Sequence, residues 1–416
     1  MTSYKMYLRL NIIVQFSAFL FGAIVLTVPS GYGYGPSILV LASIFVFWRK
    51  KYYLAMSSEA KTLLYIFIAF FIMQAISIWI DGGSLKELDR PSRLLMAAMI
   101  LPLLSVFPVN INFFIAGLSI GAISSGLIAI YEKVYLRMPR AFDDSMPIQS
   151  GNISMTLALL CLCAFFWFRS IGRNKISSFM LFSFLMGGMG SFLSGTRGGW
   201  VLLPIILVTI VFYFRRKLCL KDGLYVGSVC VLLLFLALLP QSGVMDRIYA
   251  AKEDIAHYID GLNPDTSLGI RLQLWDSAYH SFLEKPIFGW GNNGIRLSQL
   301  NQYNNGSISE FIYNFNSHAH NQFLDELAKR GMIGFLMLAM LYFYPLWVAS
   351  KNKNNLLVSS MLAVSSLTLI DYSLSQAFIN HNSGIIFFMF LFSVLITALP
   401  TVPANSKEIN VEAKSD

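Results

Sequence analysis

The chain has 416 residues, of which 56% are hydrophobic and 13% charged, whereas soluble domains carry about 25% charged residues. A water-soluble fold with 34 phenylalanines and so few charges would expose too much apolar surface, so lipid is the expected solvent for most of it. The formal net charge of +9 sits largely in short clusters beside apolar runs, a positive-inside pattern that argues against a nucleic-acid partner.

A membrane span needs about 20 apolar residues. Apolar runs lie at 10–29, 34–48, 62–80, 94–108, 110–131, 152–168, 177–194, 198–214, 223–240, 332–350, 356–372 and 384–401. The first is followed by Val28-Pro29-Ser30-Gly31-Tyr32 and not by a small-x-small cleavage site, so it is expected to remain as a helix. Pro108-Val109-Asn110 divides the fourth run from the fifth. The four cysteines, Cys161, Cys163, Cys219 and Cys230, lie in or against these runs without zinc-ligand spacing to His, and read as small packing residues. The expected fold is therefore an all-α integral membrane protein with about twelve transmembrane helices.

With the N-terminus inside, the inner connections hold Arg49-Lys50-Lys51, then Arg169, Arg173 and Lys175. Arg215-Arg216-Lys217 with Lys221 follow, then Lys351 and Lys353. This alternation puts both termini in the cytoplasm. Residues 1–240 carry the first nine spans and 331–401 the last three. Residues 402–416 form a cytoplasmic tail. Between them, 241–330 is too polar to span and too aromatic for a disordered tether. It is expected to be a large, partly helical loop on the outer face, with helices near 245–260 and 271–284 and an Asn/Gly-rich turn region at 291–306.

Several arginines fall on the outer side, which should be poor in them: Arg90, Arg93, Arg137, Arg140, Arg197 and Arg271. Most read as snorkelling or paired surface residues. Arg197 differs, because it lies in Ser194-Gly195-Thr196-Arg197-Gly198-Gly199-Trp200 between two apolar runs, with no acidic neighbour. An Arg at membrane depth is costly. A guanidinium fork beside a Gly-rich turn suits a phosphate or diphosphate. Further on, His318-Ala319-His320-Asn321 closes the outer loop, followed by a helical pattern that stops at Lys329-Arg330-Gly331. Asp325 and Glu326 are wrongly spaced to join two His on a metal, so no metal is assigned. A helix N-terminus disfavours a charged imidazole, so His320 can serve as a neutral base.

These segments together resemble the O-antigen ligase family, within the wider group of O-antigen ligases and polymerases. The resemblance rests on Gly195-Thr196-Arg197-Gly198-Gly199-Trp200, on Ser267-Leu268-Gly269-Ile270-Arg271, and on His318-Ala319-His320-Asn321 with Gly331 after ten intervening residues. It implies that Arg197 and Arg271 hold the diphosphate of a lipid-linked donor and that His320 is the catalytic base. Arg140, before Ala141 and Pro147-Ile148, resembles a further donor-binding position, with His318 and Asn321 in support. Val201 stands where the family often has leucine. The implied reaction moves an O-antigen glycan from undecaprenyl diphosphate to a sugar hydroxyl of lipid A–core. It occurs on the periplasmic face of the inner membrane, with inversion and with no metal, nucleotide or other cofactor.

An O-antigen polymerase, with a second lipid-linked glycan as acceptor, is the nearest alternative. A transporter would want ionisable groups at mid-bilayer. The apolar runs are nearly empty of charge apart from Asp371 near a run end.

Overall fold

The computed structural model describes residues 2–47, 50–196, 198–218, 227, 249, 252–254, 256, 265–315 and 318–399. The expected ninth span at 223–240, the tail 402–416, Arg197, Cys219 and Cys230 lie outside the described residues, as does most of 245–260. Among the described residues the chain is helical throughout, with no strand. Helices α1 (Thr2–Ile24), α2 (Gly31–Phe47), α3 (Lys50–Leu54), α4 (Ser58–Ile80), α5 (Ser92–Val106) and α6 (Ile111–Ile130) come first. Then follow α7 (Pro147–Ser170), α8 (Asn174–Leu193) and α9 (Leu203–Phe214).

The intervening segment contributes α10 (Ser267–Glu284), α11 (Ile295–Asn304) and the short α12 (Glu310–Asn314). The chain closes with α13 (Gln322–Lys351), α14 (Leu356–Ser375) and α15 (Asn382–Thr397).

Seven of the described helices are long and apolar enough to cross a membrane: Lys5–Ile24, Ser58–Ile80, Ile111–Tyr135, Pro147–Ser170, Asn174–Leu193, Gln322–Lys351 and Leu356–Ser375. Gly31–Val46, Gly198–Phe214 and Asn382–Thr397 are apolar but shorter. Large side chains such as Phe45, Trp79 and Val208 stand exposed on the outside of this bundle, as lipid-facing groups do. The chain is a multi-pass membrane protein.

The chain break at Pro108-Val109-Asn110 has a local cause. Asn110 accepts the N–H groups of Asn112 and Phe113 and so starts α6. In the most apolar stretch of α7, 94% of residues are buried, against 39% for α1, so α7 is the central helix. Small residues bring the outer helices onto this core. A Cβ on Gly117 would lie 2.3 Å from the Phe19 carbonyl oxygen, and one on Gly121 would lie 2.0 Å from that of Gly22. No other residue allows α1 and α6 to approach so closely.

One expected feature is corrected. Residues 291–306 were expected as a turn region, yet 295–304 form α11. Asp81, just past α4, reaches across and accepts the N–H groups of Asn293 and Gly294. A cap supplied from 213 positions away overrides the local turn composition.

Substituting Gly121→Val tests the close approach of α1 and α6. The branched side chain should force the helices apart and cost about 1–3 kcal/mol. The measurement is a thermal melt in detergent, with a lowered midpoint expected.

Candidate functional site

The site is built around the first turn of α13. Asn321 caps this helix, its side-chain oxygen accepting from Phe323 N at 3.0 Å and Leu324 N at 3.2 Å. Asp325, one turn in, accepts from Ala319 N at 3.2 Å, from Lys329 Nζ at 2.9 Å and from Asn380 Nδ2 at 3.2 Å. Gln322 donates to Asn380 Oδ1 and accepts from Ile379 N, both at 3.2 Å. The 318–320 loop and the 376–382 connection between α14 and α15 are thereby fixed to one helix end.

Within this frame the two loop histidines differ. His320 sits at φ +48°, a left-handed conformation that costs a non-glycine residue about 1–3 kcal/mol. Its backbone N–H donates to His318 Nδ1 at 3.0 Å. That bond uses the Nδ1 lone pair of His318 and leaves its proton on Nε2. Burial pulls the His318 pKa down to about 4. His320 Nδ1 lies 2.9 Å from Gln376 Oε1. An amide oxygen only accepts, so His320 carries its proton on Nδ1 and keeps a free lone pair on Nε2. Burial lowers the His320 pKa below its ordinary value, the Gln376 bond opposes this, and the Arg271 charge lowers it further.

Arg271 comes from α10, whose start is capped by Thr266 accepting from Gly269 N at 3.2 Å. Burial lowers the pKa of its guanidinium from the ordinary value. His381 completes the cluster, with Gln376 Nε2 at 3.3 Å from its Nε2 and the His318 ring 6.2 Å away between centroids. Burial, with the nearby charge of Arg90, holds the His381 pKa at about 4. Neither His381 nor Gln376 was singled out in the sequence. Their only signal is the polar Gln376–Ser383 break between two apolar runs.

Arg140 lies at a separate place. Its Nε donates to the Ser194 carbonyl at 2.8 Å and its Nη2 to Thr196 Oγ1 at 3.5 Å. A cation on the last carbonyls of α8 is a favourable C-terminal cap. Arg197 itself lies outside the described residues. Its neighbour Gly198 packs against Ser375, where a Cβ would lie 2.4 Å from the hydroxyl oxygen. This turn thus abuts the residue preceding Gln376. Asp371, buried in α14, accepts from Leu202 N at 3.0 Å and holds the start of α9.

The helices of the 265–315 segment are locked to the bundle. Trp290 N donates to Ala328 O at 3.0 Å, Gly291 N to Lys329 O at 2.8 Å and Met332 N to Pro286 O at 2.7 Å. The first two use carbonyls, and the third an N–H, left free where α13 breaks at Gly331, φ +62°. The expected helix stop at Gly331 is therefore a break after which the helix resumes. Behind it, Gln74, Glu326, Arg330, Asn292 and Glu87 form a continuous hydrogen-bonded chain. A groove of about 510 Å³ opens between α2, α5 and α15, lined by Tyr32, Ser37, Arg93, Ala97, Asn382 and Phe390 among others. Among the described residues, no group of three or more His, Cys, Asp or Glu is placed to hold a metal ion.

A family profile described as O-Antigen ligase matches residues 181–339, which include Arg271, His318, His320, Asn321 and Gly331. An uncharacterized protein of Haemophilus influenzae is 32% identical over 377 residues, which is 89% of this chain and 94% of that protein. An O-antigen ligase of Escherichia coli is 24% identical over 184 residues, 43% of this chain and 43% of that protein.

The Asp325 junction has a direct test. Replacing the carboxylate in Asp325→Asn breaks its buried ion pair with Lys329 and should destabilise the protein by about 3 kcal/mol. Thermal melting in detergent should show the loss, whereas an unchanged midpoint would mean the junction is not a structural centre.

Proposed function

This chain belongs to the O-antigen ligase family, and from that premise we propose that it transfers an O-antigen glycan from undecaprenyl diphosphate to a sugar hydroxyl of lipid A–core. The observation that carries this reading is the His320 imidazole, held through Nδ1 at 2.9 Å from Gln376 Oε1 with Nε2 left to meet an acceptor, in a segment that matches the family. His320 Nε2 takes the proton of the acceptor hydroxyl, an effect worth about 10²–10⁴-fold. The acceptor oxygen bonds to the anomeric carbon as the bond from that carbon to the diphosphate breaks. The electron pair leaves with the lipid diphosphate, and the configuration inverts. Arg271 and Arg197 neutralise the leaving charge. Arg140, held beside Ser194 and Thr196, joins these two arginines in binding the diphosphate. His318 and Asn321 hold His320 in place.

The proposed topology has about twelve spans, both termini in the cytoplasm and residues 241–330 in the periplasm, within the inner membrane. It is supported by the basic clusters of the sequence. It is also supported by the meeting of 81–87 with 292–294, of Arg140 with 194–196, and of His320 with Gln376. All of these connections are expected on one face. The apolar groove, with Arg93 and Asn382 at its polar end, suits the isoprenoid chain of the anionic donor. Lipid A–core, the other membrane-held substrate, then approaches His320 from the periplasmic side.

Topology is checked by reporter fusions. A reporter active only in the periplasm should work near Asn301 and fail near Arg216. The reverse pattern would place His320 in the cytoplasm and end this reading.

Chemistry is checked with purified donor and acceptor. His320→Ala should lower transfer by about 10³-fold with donor binding retained. Arg271→Lys should lower it by about 10²-fold, because an ammonium cannot replace the fork. Because the His320 pKa is lowered, the neutral base persists below the ordinary imidazole range. Activity should therefore stay level through neutrality and fall only on the acid side of pH 6.5. Transfer should proceed in excess chelator. Loss in chelator that zinc restores would make the histidines ligands instead.

A further inference from the structure

We propose that Gln376 is a positioning residue that fixes the proton of His320 on Nδ1, so that Nε2 is the atom presented to the acceptor hydroxyl. This rests on the assignment of His320 as the base and adds a residue to it from outside the matched family segment.

The geometry gives three reasons. First, Gln376 is buried and ends α14, so its side chain is anchored by a rigid element. Second, both ends of its amide are used. The oxygen accepts from His320 Nδ1 at 2.9 Å and the nitrogen donates toward His381 Nε2 at 3.3 Å. His381 thereby fixes which way the amide faces. A reversed amide would direct its N–H toward Nδ1 of His320, move the proton to Nε2 and remove the base. Burial beside Arg90 keeps the His381 imidazole neutral, and in the tautomer with its proton on Nδ1 the Nε2 lone pair accepts from Gln376. Third, His318 cannot substitute, because its Nδ1 is already bonded to the His320 backbone.

The groups facing His320 are Arg271 from α10, Asp325 from α13, His318 from its own loop and the Gln376–His381 pair. Lys329 is paired to Asp325. A neutral amide is the acceptor that suits this position. It orients the ring without adding a negative charge that would raise the pKa of the base and compete with Arg271.

The test compares Gln376→Leu and Gln376→Glu in the full-length protein in detergent or vesicles. Gln376→Leu removes the acceptor and should lower kcat by about 10²-fold or more, up to the roughly 10⁴-fold that a wrong tautomer costs a histidine base. KM for the lipid-linked donor and the melting midpoint should change little. Gln376→Glu keeps an acceptor and should recover most of kcat at alkaline pH. Its carboxylate raises the His320 pKa, so the acid limb of the kcat profile should move to higher pH. A structural role alone would not produce that shift.

Near-normal kcat in Gln376→Leu, with His320→Ala inactive, would overturn the positioning proposal while leaving His320 as the base. Full activity in His320→Ala would instead overturn the base assignment. Equal loss in both Gln376 variants, with no displacement of the acid limb, would mean that Gln376 only fills space.

Discussion

The Asp325 carboxylate joins pieces of chain that are far apart in sequence. It accepts from Ala319 in the loop before α13, from Lys329 on its own helix and from Asn380 in the connection between α14 and α15. In a protein whose apolar faces meet lipid, hydrophobic burial does little to align helix ends. Alignment of the site falls to buried polar contacts such as these, together with the Gln322 bonds to Ile379 and Asn380. His320 stays in its left-handed conformation, and within reach of Gln376, because both of its flanks are held.

The packing of α10 and α11 depends on a second constraint, the break in α13 at Gly331. A Cβ there would lie 2.4 Å from the Ile287 backbone. Without a side chain, the chain after α10 can lie along the broken turn and pair with its free carbonyls. The same break ends the half-helix that begins two residues after His320. This gives a physical reason for a glycine at that distance: it fixes how α10, which carries Arg271, packs against α13. The Arg330–Glu326 pair beneath the break is buried and costly to dehydrate. Gln74 and Asn292 supply its further hydrogen bonds and tie the arrangement to α4.

Much of this was legible in the sequence because it depends on local composition. Apolar runs marked the long helices, Pro108-Val109-Asn110 the division between the fourth and fifth runs, and Gly331 an end to the helix after His320, where the structure has a break. Three features were not legible, and each depends on a distant partner. Residues 295–304 are helical because Asp81 caps them across the fold. Gln376 and His381 join the site through contacts at sequence separations of 56 and 5, in a connection without any motif. The bond from Arg140 Nε to the Ser194 carbonyl is a contact that no spacing rule reveals.

What distinguishes a ligase from a polymerase is the acceptor, and the residues around His320 treat either acceptor as a hydroxyl. The decisive measurement is therefore made on the product in cells. The gene is deleted in a strain that makes O-antigen, and lipopolysaccharide and carrier-linked glycan are separated on gels. The account predicts bare lipid A–core together with polymer accumulating on undecaprenyl diphosphate. Core capped with a single repeat unit would contradict it and make the protein a polymerase.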